Sequence, residues 1–208
     1  MQKLLIIGSG GLAREIACWL QERYQIVGFS TLDADEHARF EMPGSAFPDE
    51  VTPAAAGTDL AVMAIGSPKL KAKLHARLRT AGFSFPAVVH PSAVVSPRAR
   101  LADGVVVCPQ SHVSPNVQLG ELAFVNFCVG IGHEADVGAY VQINPGAQIG
   151  GGARIGRCTL IGSGAIVLDG IKVGDDAVVG SGAVTFARVT PNATVFGNPA
   201  TRMRAFEA

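Results

Sequence analysis

Residues 131–155 read IGHEADVGAYVQINPGAQIGGGARI and sample a pattern that extends from Val89 to Val184. Within that stretch every sixth residue is Val, Ile or Leu, and no insertion interrupts the step. Even if half of all residues were aliphatic, one register would give such a run only about once in sixty-five thousand trials. The series consists of Val89, Val95, Leu101, Val107, Val113, Leu119, Val125, Ile131, Val137, Ile143, Ile149, Ile155, Ile161, Val167, Val173 and Val179.

A repeat of six residues (a hexad) predicts short extended segments joined by turns. A small or apolar residue comes four positions after each aliphatic, as at Ala93 and Ala183, and turn formers such as Pro91, Asp103 and Gly152 lie between. Three hexads would form one coil of a triangular prism, and stacked coils would give parallel strands about 4.8 Å apart around an aliphatic interior. Glycine directly follows the aliphatic in eight hexads, which predicts close backbone packing there.

The first 85 residues predict a smaller α/β unit. Residues 3–7 read as a buried strand, which the turn Gly8-Ser9-Gly10-Gly11-Leu12-Ala13 connects to a helix ending near residue 22. Strands are also predicted at residues 25–30 and 59–65, with an irregular segment at 31–56 between them. This order is typical of half a dinucleotide-binding fold.

The glycine turn places free backbone N–H groups at a helix N-terminus, an arrangement that attracts phosphate. A tight turn without a ligand is the alternative. The second strand lacks an acidic residue at its tip, and the unit offers only half of the usual fold, so phosphate or a nucleotide is favoured over a redox cofactor.

The last element of the smaller unit is predicted to be a basic amphipathic helix at residues 68–80. Leu70, Leu74 and Leu78 would lie on its apolar side, and His75 on its polar side.

Composition and charge argue against several functional classes. The 208 residues carry no net charge, so a nucleic acid or an acidic membrane surface is not an expected partner. The four cysteines have no zinc-binding spacing, which favours a reduced, cytoplasmic setting. No segment resembles a signal peptide or a membrane-spanning helix, so we expect a soluble protein without membrane insertion.

His133 and Glu134 are the candidate catalytic pair. They occupy the third and fourth places of their hexad, which lie at an outward corner of the predicted prism. One coil corresponds to eighteen residues, so His133 should stack between Pro115 and Gly151, with Asp169 beyond, and the glycine should leave an opening beside the imidazole. A neutral imidazole beside a carboxylate can take a proton from an attacking hydroxyl or amine. A solvent-exposed corner histidine without a function is the alternative.

A zinc hydratase built on the same prism would need three converging histidines. His90, His112 and His133 are separated by 22 and 21 residues, so they should drift around the prism without aligning. No metal site is therefore predicted.

From Gly8 to Ala200 the chain resembles the hexapeptide acyltransferases that acetylate sugars in bacterial surface-glycan pathways. These include the sialic acid O-acetyltransferases and the N-acetyltransferases of UDP-4-amino-4,6-dideoxy sugars or GDP-perosamine. The motifs that carry the resemblance are Gly8-Ser9-Gly10-Gly11, Ala64-Ile65-Gly66, Val89-His90-Pro91-Ser92-Ala93, His133-Glu134, Ile143-Asn144-Pro145-Gly146-Ala147, Val179-Gly180-Ser181-Gly182-Ala183-Val184 and Gly197-Asn198-Pro199-Ala200.

The resemblance implies a Rossmann-like, α/β domain at residues 1–85 that binds a nucleotide sugar, and a left-handed parallel β-helix at residues 86–208 that transfers the acyl group. It implies a homotrimer with intersubunit active sites, in which His133 is the general base, Glu134 raises its basicity, and acetyl-CoA is the acyl donor. The residues implied to contact acetyl-CoA are Asn126, Gln142, Gly151, Ser163 and Ser181. Those implied to contact the sugar nucleotide are Gly10, Gly11, Leu12, Thr31, Asp33 and Gly66.

Three departures from the family pattern bear on these assignments. Leu12 stands where relatives often have His, Thr31 and Leu32 stand where an acidic pair normally closes the second strand, and Gln142 stands where some relatives have a second histidine. The favoured function is N-acetylation of a nucleotide-activated amino sugar. The alternatives are O-acetylation of sialic acid or a related sugar, and a non-catalytic trimer that binds sugar nucleotides.

Overall fold

The computed structural model describes residues 1–31 and 34–203, which belong to two compact units. The first unit comprises residues 1–66 and 70–86, and the second comprises residues 67–69 and those after 86. The elements up to residue 80 are β1 (Gln2–Ile7), α1 (Gly11–Leu20), β2 (Tyr24–Ser30), α2 (Ala34–Arg39), β3 (Ser45–Phe47), α3 (Pro53–Ala56), β4 (Ala61–Met63) and α4 (Pro68–Thr80).

The N-terminal unit contains a four-stranded sheet in the order β3-β2-β1-β4, and all of its strand pairs are parallel. Leu4 to Ile7 of β1, the run of aliphatics that predicted this strand, are at most 1% exposed. Parallel sheets are covered on both faces, which accounts for an uninterrupted apolar strand in place of an alternating one. The predicted Rossmann-like half domain is confirmed.

Strand β3 lies in a segment that the sequence predicted to be irregular. Two glycines permit its pairing with β2: a Cβ at Gly28 (φ +153°) would collide with the backbone of Ser45, and one at Gly44 (φ +77°) with the backbone of Val27. Ser45 and Ala46 are exposed, so β3 lacks the apolar pattern by which a strand is recognised.

Helix α4 forms as predicted, but its buried side is rotated. Leu70 is 45% exposed, whereas Lys71 is 1% and His75 5% exposed, alongside the expected Leu74 and Leu78. The placement of His75 on a polar face was therefore wrong. Its ring packs edge-on against Phe85 with 5.0 Å between centroids, a contact that favours burial of a ring with a polar edge.

The second unit is a prism of three parallel sheets wound from two-residue strands. Sheet I contains β5 (Val88–Val89), β8 (Val106–Val107), β11 (Phe124–Val125), β14 (Gln142–Ile143), β17 (Leu160–Ile161), β20 (Val178–Val179), β22 (Thr194–Phe196) and the antiparallel β23 (Thr201–Arg202). Sheet II contains β6 (Val94–Val95), β9 (His112–Val113), β12 (Gly130–Ile131), β15 (Gln148–Ile149), β18 (Ile166–Val167) and β21 (Val184–Thr185). Sheet III contains β7 (Arg100–Leu101), β10 (Gln118–Leu119), β13 (Asp136–Val137), β16 (Arg154–Ile155) and β19 (Lys172–Val173). The predicted left-handed parallel β-helix is confirmed.

The aliphatic series fills the prism interior. From Val107 to Val179 every member is at most 3% exposed, and Val89, Val95 and Leu101, in the first coil, are partly buried against the same core. The glycines after the aliphatics lie where backbones meet: a Cβ at Gly132 would be 2.6 Å from the amide nitrogen of Gly151. Steric exclusion of a side chain therefore explains the glycine pattern.

The prism continues past Thr185, where the aliphatic series ends in the sequence. Thr185 is 1% exposed, and its hydroxyl donates to the carbonyl of Ile166 at 3.2 Å. Val189 then pairs with Val173, and Val195 with Val179, sixteen residues apart instead of eighteen. This coil is two residues shorter than the others. It therefore interrupts the six-residue repeat in the sequence, although the prism continues.

Candidate active site

His133 and Glu134 lie on the corner that follows strand β12, between sheets II and III. The backbone N–H of Glu134 donates to the carbonyl of Pro115 at 3.1 Å, and the carbonyl of His133 accepts from the N–H of Gly152 at 2.8 Å. These bonds tie the pair to the coils before and after it. The stacking of His133 between Pro115 and Gly151, expected from the eighteen-residue coil, is present.

The two side chains are paired and accessible. Nδ1 of His133 lies 3.8 Å from Oε2 of Glu134, and the side chains are 70% and 66% exposed. The distance exceeds a direct hydrogen bond but allows charge attraction once the ring is protonated. The pair can therefore stabilise an imidazolium that forms on proton uptake.

The imidazole of His133 packs directly against Gly151. A Cβ at this position would lie 2.8 Å from Cε1 and 2.9 Å from Nε2 of His133, closer than real Cβ contacts. Any side chain here would force the ring to move. The glycine therefore allows the present position of the ring, and the His133 side chain remains 70% exposed.

A groove of about 530 Å³ runs along sheet II past His133. It crosses four coils, which contribute His112 and Ser114, then Gly130 to His133, then Gln148 to Gly151, and finally Ile166 to Asp169. We call this the His133 groove. Strand register brings His112, Gly130, Gln148 and Ile166 into one row, so these residues are direct neighbours despite their distance in sequence.

The five residues predicted to contact acetyl-CoA fall into three environments. Gly151 lines the His133 groove. Asn126 and Gln142 are 6% and 2% exposed, and their side chains make internal hydrogen bonds: Oδ1 of Asn126 accepts from the N–H of Phe127, and Nε2 of Gln142 donates to Oδ1 of Asn144. Ser163 and Ser181 are exposed on the corner that follows sheet I. Within one chain, the structure does not bring these four residues to His133.

The predicted sugar-nucleotide residues meet at the carboxyl edge of the N-terminal sheet. The hydroxyls of Ser9 and Thr31 are 2.8 Å apart, which joins the glycine turn after β1 to the end of β2. A Cβ would meet nothing within 4 Å at Gly10 or Gly66, so the backbone at both residues is accessible. Gly11 is exposed and Leu12 half-buried, and Asp33 lies outside the described residues. Ligands of open α/β sheets bind at this edge.

Among the described residues, no group of three or more His, Cys, Asp or Glu side chains could hold a metal ion. In the same part of the chain, no helix is both long and apolar enough to cross a bilayer.

Two sequence families match separate segments of the chain. Residues 3–78 match the PglD N-terminal domain, and residues 152–187 match the bacterial transferase hexapeptide (six repeats). No curated protein sequence gives a significant match.

Solved structures resemble the chain over almost its whole length. PerB from Caulobacter crescentus, in complex with CoA and GDP-perosamine, is 29% identical with a TM-score of 0.89, and the alignment covers 98% of each chain. A histidine variant of perosamine N-acetyltransferase from the same organism, with the same ligands, is 28% identical with a TM-score of 0.89, and 98% of this chain and 97% of that chain are covered. The acetyltransferase domain of PglB from Neisseria gonorrhoeae is 27% identical with a TM-score of 0.87, and 98% of this chain and 100% of that chain are covered.

The predicted resemblance to the hexapeptide-repeat sugar acetyltransferases is confirmed. The match to the PglD N-terminal domain covers β1, α1, β2 and most of α4, and the hexapeptide match begins at Gly152, next to the glycine that flanks the catalytic candidate. These sugar acetyltransferases thus resemble the chain in both units, and not through the repeat alone.

Sequence reasoning gave too little weight to groove residues one coil away from His133. His112 and Gln148 line the groove, but the sequence prediction considered His112 for a zinc site and did not consider Gln148. The signal was present, because steps of eighteen from Gly130 lead to both residues. The eighteen-residue spacing that places residues beside His133 at the corner also places residues beside one another on the flat face formed by sheet II.

Proposed function

We propose that this protein is an acetyl-CoA-dependent N-acetyltransferase that acts on a nucleotide-activated amino sugar, of the UDP-4-amino-4,6-dideoxy or GDP-perosamine type, in bacterial surface-glycan biosynthesis. The observation that carries the proposal is the full-length likeness to PerB in complex with CoA and GDP-perosamine, together with an accessible His–Glu pair on a long groove. The enzyme class predicted from the sequence, an acetyl-CoA-dependent sugar acetyltransferase, agrees with this likeness.

In the proposed reaction, neutral His133 accepts a proton from the acceptor amine as the nitrogen attacks the thioester carbonyl. A C–N bond forms, the C–S bond breaks, and the thiolate of CoA leaves and takes the proton from the His133 imidazolium, which returns the ring to its neutral form. Glu134 stabilises the imidazolium through charge attraction across 3.8 Å. A positioned general base typically contributes about 10²- to 10⁴-fold to the rate.

The donor and the acceptor are assigned to different surfaces. Acetyl-CoA would lie in the His133 groove, which runs along sheet II past the imidazole. The nucleotide sugar would bind residues 1–85, at Gly10, Gly11, Leu12, Thr31, Asp33 and Gly66, and acyl transfer is assigned to the domain at residues 86–208.

A homotrimer would explain why one chain separates the predicted acetyl-CoA residues. Ser163 and Ser181 are exposed on a different corner from His133, so a neighbouring chain could supply them to the groove. Asn126 and Gln142 are buried, and we assign them to shaping the groove wall on the same neighbour. The substrates are intracellular metabolites, which accords with a cytoplasmic location.

The deciding experiment is a CoA-release assay with a panel of UDP-, GDP- and dTDP-linked amino sugars, each with acetyl-CoA. We expect one 4-amino sugar to be acetylated at nitrogen, identified by mass spectrometry of the product. Sialic acid and hydroxyl-only nucleotide sugars form the control arm. Turnover confined to that arm would replace the proposal with O-acetylation, and absence of turnover in every arm would favour a non-catalytic binding protein.

A further inference from the structure

A second cleft lies at the C-terminal end of the prism and has no role in the function proposed above. Its volume of about 280 Å³ is near the lower limit of about 300 Å³ for ordinary ligand pockets. Its lining comes from residues 185–202, which include the last strands of sheets I and II. We call it the Arg188–Arg202 cleft. A cavity of this size can hold one end of a large ligand but not the whole of it.

The cleft continues the line of the His133 groove. Strand register pairs Ile131, which precedes the His133 corner, with Ile149, then Ile149 with Val167, and Val167 with Thr185. Val167 lines the far end of the groove and Thr185 lines the cleft, so neighbouring strands border the two cavities. Three coil spacings, roughly 14 Å, therefore separate the level of His133 from that of the cleft.

The cleft combines exposed cations with an apolar floor. Arg188 and Arg202 are both exposed and come from different segments: Arg188 precedes Val189, and Arg202 lies in β23, where it pairs with Val195 of β22. Val189 and Val195 are buried members of the prism core and also line the cleft. Among the nine described residues that line it, none is acidic. Guanidinium groups bind phosphate oxygens through paired hydrogen bonds, and apolar walls suit a flat ring.

Acetyl-CoA, the donor assigned to the His133 groove, has the length and the chemistry to reach this cleft. Its pantetheine arm joins the thioester to a phosphorylated adenosine and is about as long as four extended residues, roughly 14 Å. With the thioester beside His133, an arm lying along sheet II would cross the three coil spacings. The phosphates would then lie at the level of Arg188 and Arg202.

We propose that the Arg188–Arg202 cleft binds the nucleotide end of acetyl-CoA, with the adenine ring on the apolar floor and a phosphate held by the two arginines. The inference rests on the proposed function for the identity of the acyl donor. It adds a phosphate-binding pair to a donor site whose five residues predicted from the sequence include no cationic side chain. The acceptor subsite in the N-terminal unit is unaffected.

CoA and dephospho-CoA distinguish the two kinds of phosphate in this ligand, because dephospho-CoA lacks only the 3′-phosphate. Binding of both to the full-length protein is measured by calorimetry for the wild type, Arg188→Gln and Arg202→Gln. We expect each substitution to raise the Kd for CoA about tenfold, since a charge-assisted hydrogen bond is lost. A smaller effect on dephospho-CoA would assign the arginines to the 3′-phosphate, and an equal effect would assign them to the diphosphate. Both side chains are exposed, and a thermal melt verifies folding.

Arg154→Gln is the matched control. Arg154 is exposed in β16 of sheet III and lines neither the His133 groove nor the cleft. The change in net charge is identical, so an effect of overall charge would appear in all three variants. We expect Arg154→Gln to bind CoA as the wild type does. UDP and GDP form a second control arm, and their Kd should be the same in every variant because the nucleotide sugar is assigned to the N-terminal unit.

Steady-state kinetics give a second readout, which a general loss of structure would not reproduce. The KM for acetyl-CoA should rise in Arg188→Gln and Arg202→Gln, with kcat and the KM for the acceptor nearly unchanged, because the arginines contact the donor away from the reacting atoms. Acetylpantetheine, which lacks the nucleotide, should react equally well with the wild type and both variants.

Two results would overturn the assignment of the cleft alone. One is a Kd for CoA that changes no more in Arg188→Gln and Arg202→Gln than in Arg154→Gln, and the other is a loss of affinity for UDP and GDP in place of CoA. Binding is measured without turnover, so either result leaves the proposed acetyl transfer standing. A wild-type protein that binds no CoA would overturn the proposed function together with this site.

Discussion

The prism and the N-terminal sheet are both built from parallel strands, yet they differ in how sequence distance relates to spatial distance. In the prism, residues eighteen apart are neighbours in almost every coil, as the row His112, Gly130, Gln148 shows. In the N-terminal sheet, Gly28 meets Ser45 and Leu5 meets Ala61, and no fixed spacing relates the two pairs. A repeat therefore lets a site be located by counting, whereas a non-repeating sheet places its site through packing.

The largest effect is expected from removing the side chain of His133, whose position follows from the eighteen-residue coil. His133→Ala should lower the rate of acetyl transfer by about 10²- to 10⁴-fold, because the proposed general base is lost. The side chain is 70% exposed, so the thermal stability should change little. Initial rates of CoA release and a melting curve measure the two effects.

His112→Ala provides the matched control, since it removes another imidazole from the same groove without touching the proposed base. We expect its loss of rate to be at least tenfold smaller than that of His133→Ala. Wild-type turnover by a folded His133→Ala variant would contradict the mechanism.

A substitution in the prism interior tests whether the repeat carries the stability of its own unit. Ile143 is fully buried, and Ile143→Ala should lower the free energy of unfolding by about 2–5 kcal/mol through lost burial and a new cavity. Denaturant unfolding followed by circular dichroism measures this. Ile166, in the same type of strand, is 36% exposed, and Ile166→Ala should cost less than about 1 kcal/mol. Equal losses in the two variants would mean that the interior is not the source of stability.

The N-terminal unit is tested at the close contact between Gly28 in β2 and Ser45 in β3, which no sequence repeat predicts. Gly28→Ala should destabilise this unit by about 2 kcal/mol or more, since the left-handed φ of +153° and the backbone of Ser45 both exclude a Cβ. Hydrogen exchange resolved by mass spectrometry should show faster exchange in β2 and β3. Gly57→Ala is the control, because its φ of +69° imposes strain while the nearest atom, Nζ of Lys3, is 3.9 Å away. A loss no greater than that of the control would remove the role assigned to close strand pairing.

The smallest expected effect concerns the glycine beside the imidazole. Gly151→Ala should lower kcat about tenfold, because a misplaced catalytic group loses rate steeply with displacement, and its Cβ would lie 2.8 Å from Cε1 of His133. Gly152→Ala is the comparison, and it should affect stability and not activity. Its φ of +64° predicts a loss of about 1 kcal/mol in the free energy of unfolding, but nothing lies within 4 Å of its Cβ. Full activity in Gly151→Ala would show that catalysis does not depend on the position of the ring against Gly151.

The regions also differ in how well their details could be predicted. Every interior position from Val107 to Val179 was identified, because a stacked coil admits only aliphatics there and tolerates no insertion. The six-residue pattern in the sequence extends only to Val184, but a further coil with two fewer residues follows. The hydroxyl of Thr185 can occupy an interior place because it hydrogen-bonds a backbone carbonyl.

In the N-terminal unit the helices and strands outside residues 31–56 were predicted, but that segment was expected to be irregular and contains α2, β3 and α3. Lys71 and His75 are buried although their chemistry suggested exposure, and β3 was missed because its pairing depends on Gly28 and Gly44 and not on apolar residues. Lys71 is buried as a whole residue at 1% exposure, so polarity alone misjudged which side of α4 is buried.

The sequence alone determined the prism, its interior and the corner that carries His133 and Glu134, because a six-residue period converts directly into a position on a triangular coil. Only the tertiary structure decided how the imidazole lies against Gly151 and that a groove runs along sheet II past this corner. These features depend on side-chain direction and on contacts between coils, and such contacts are set by packing in three dimensions.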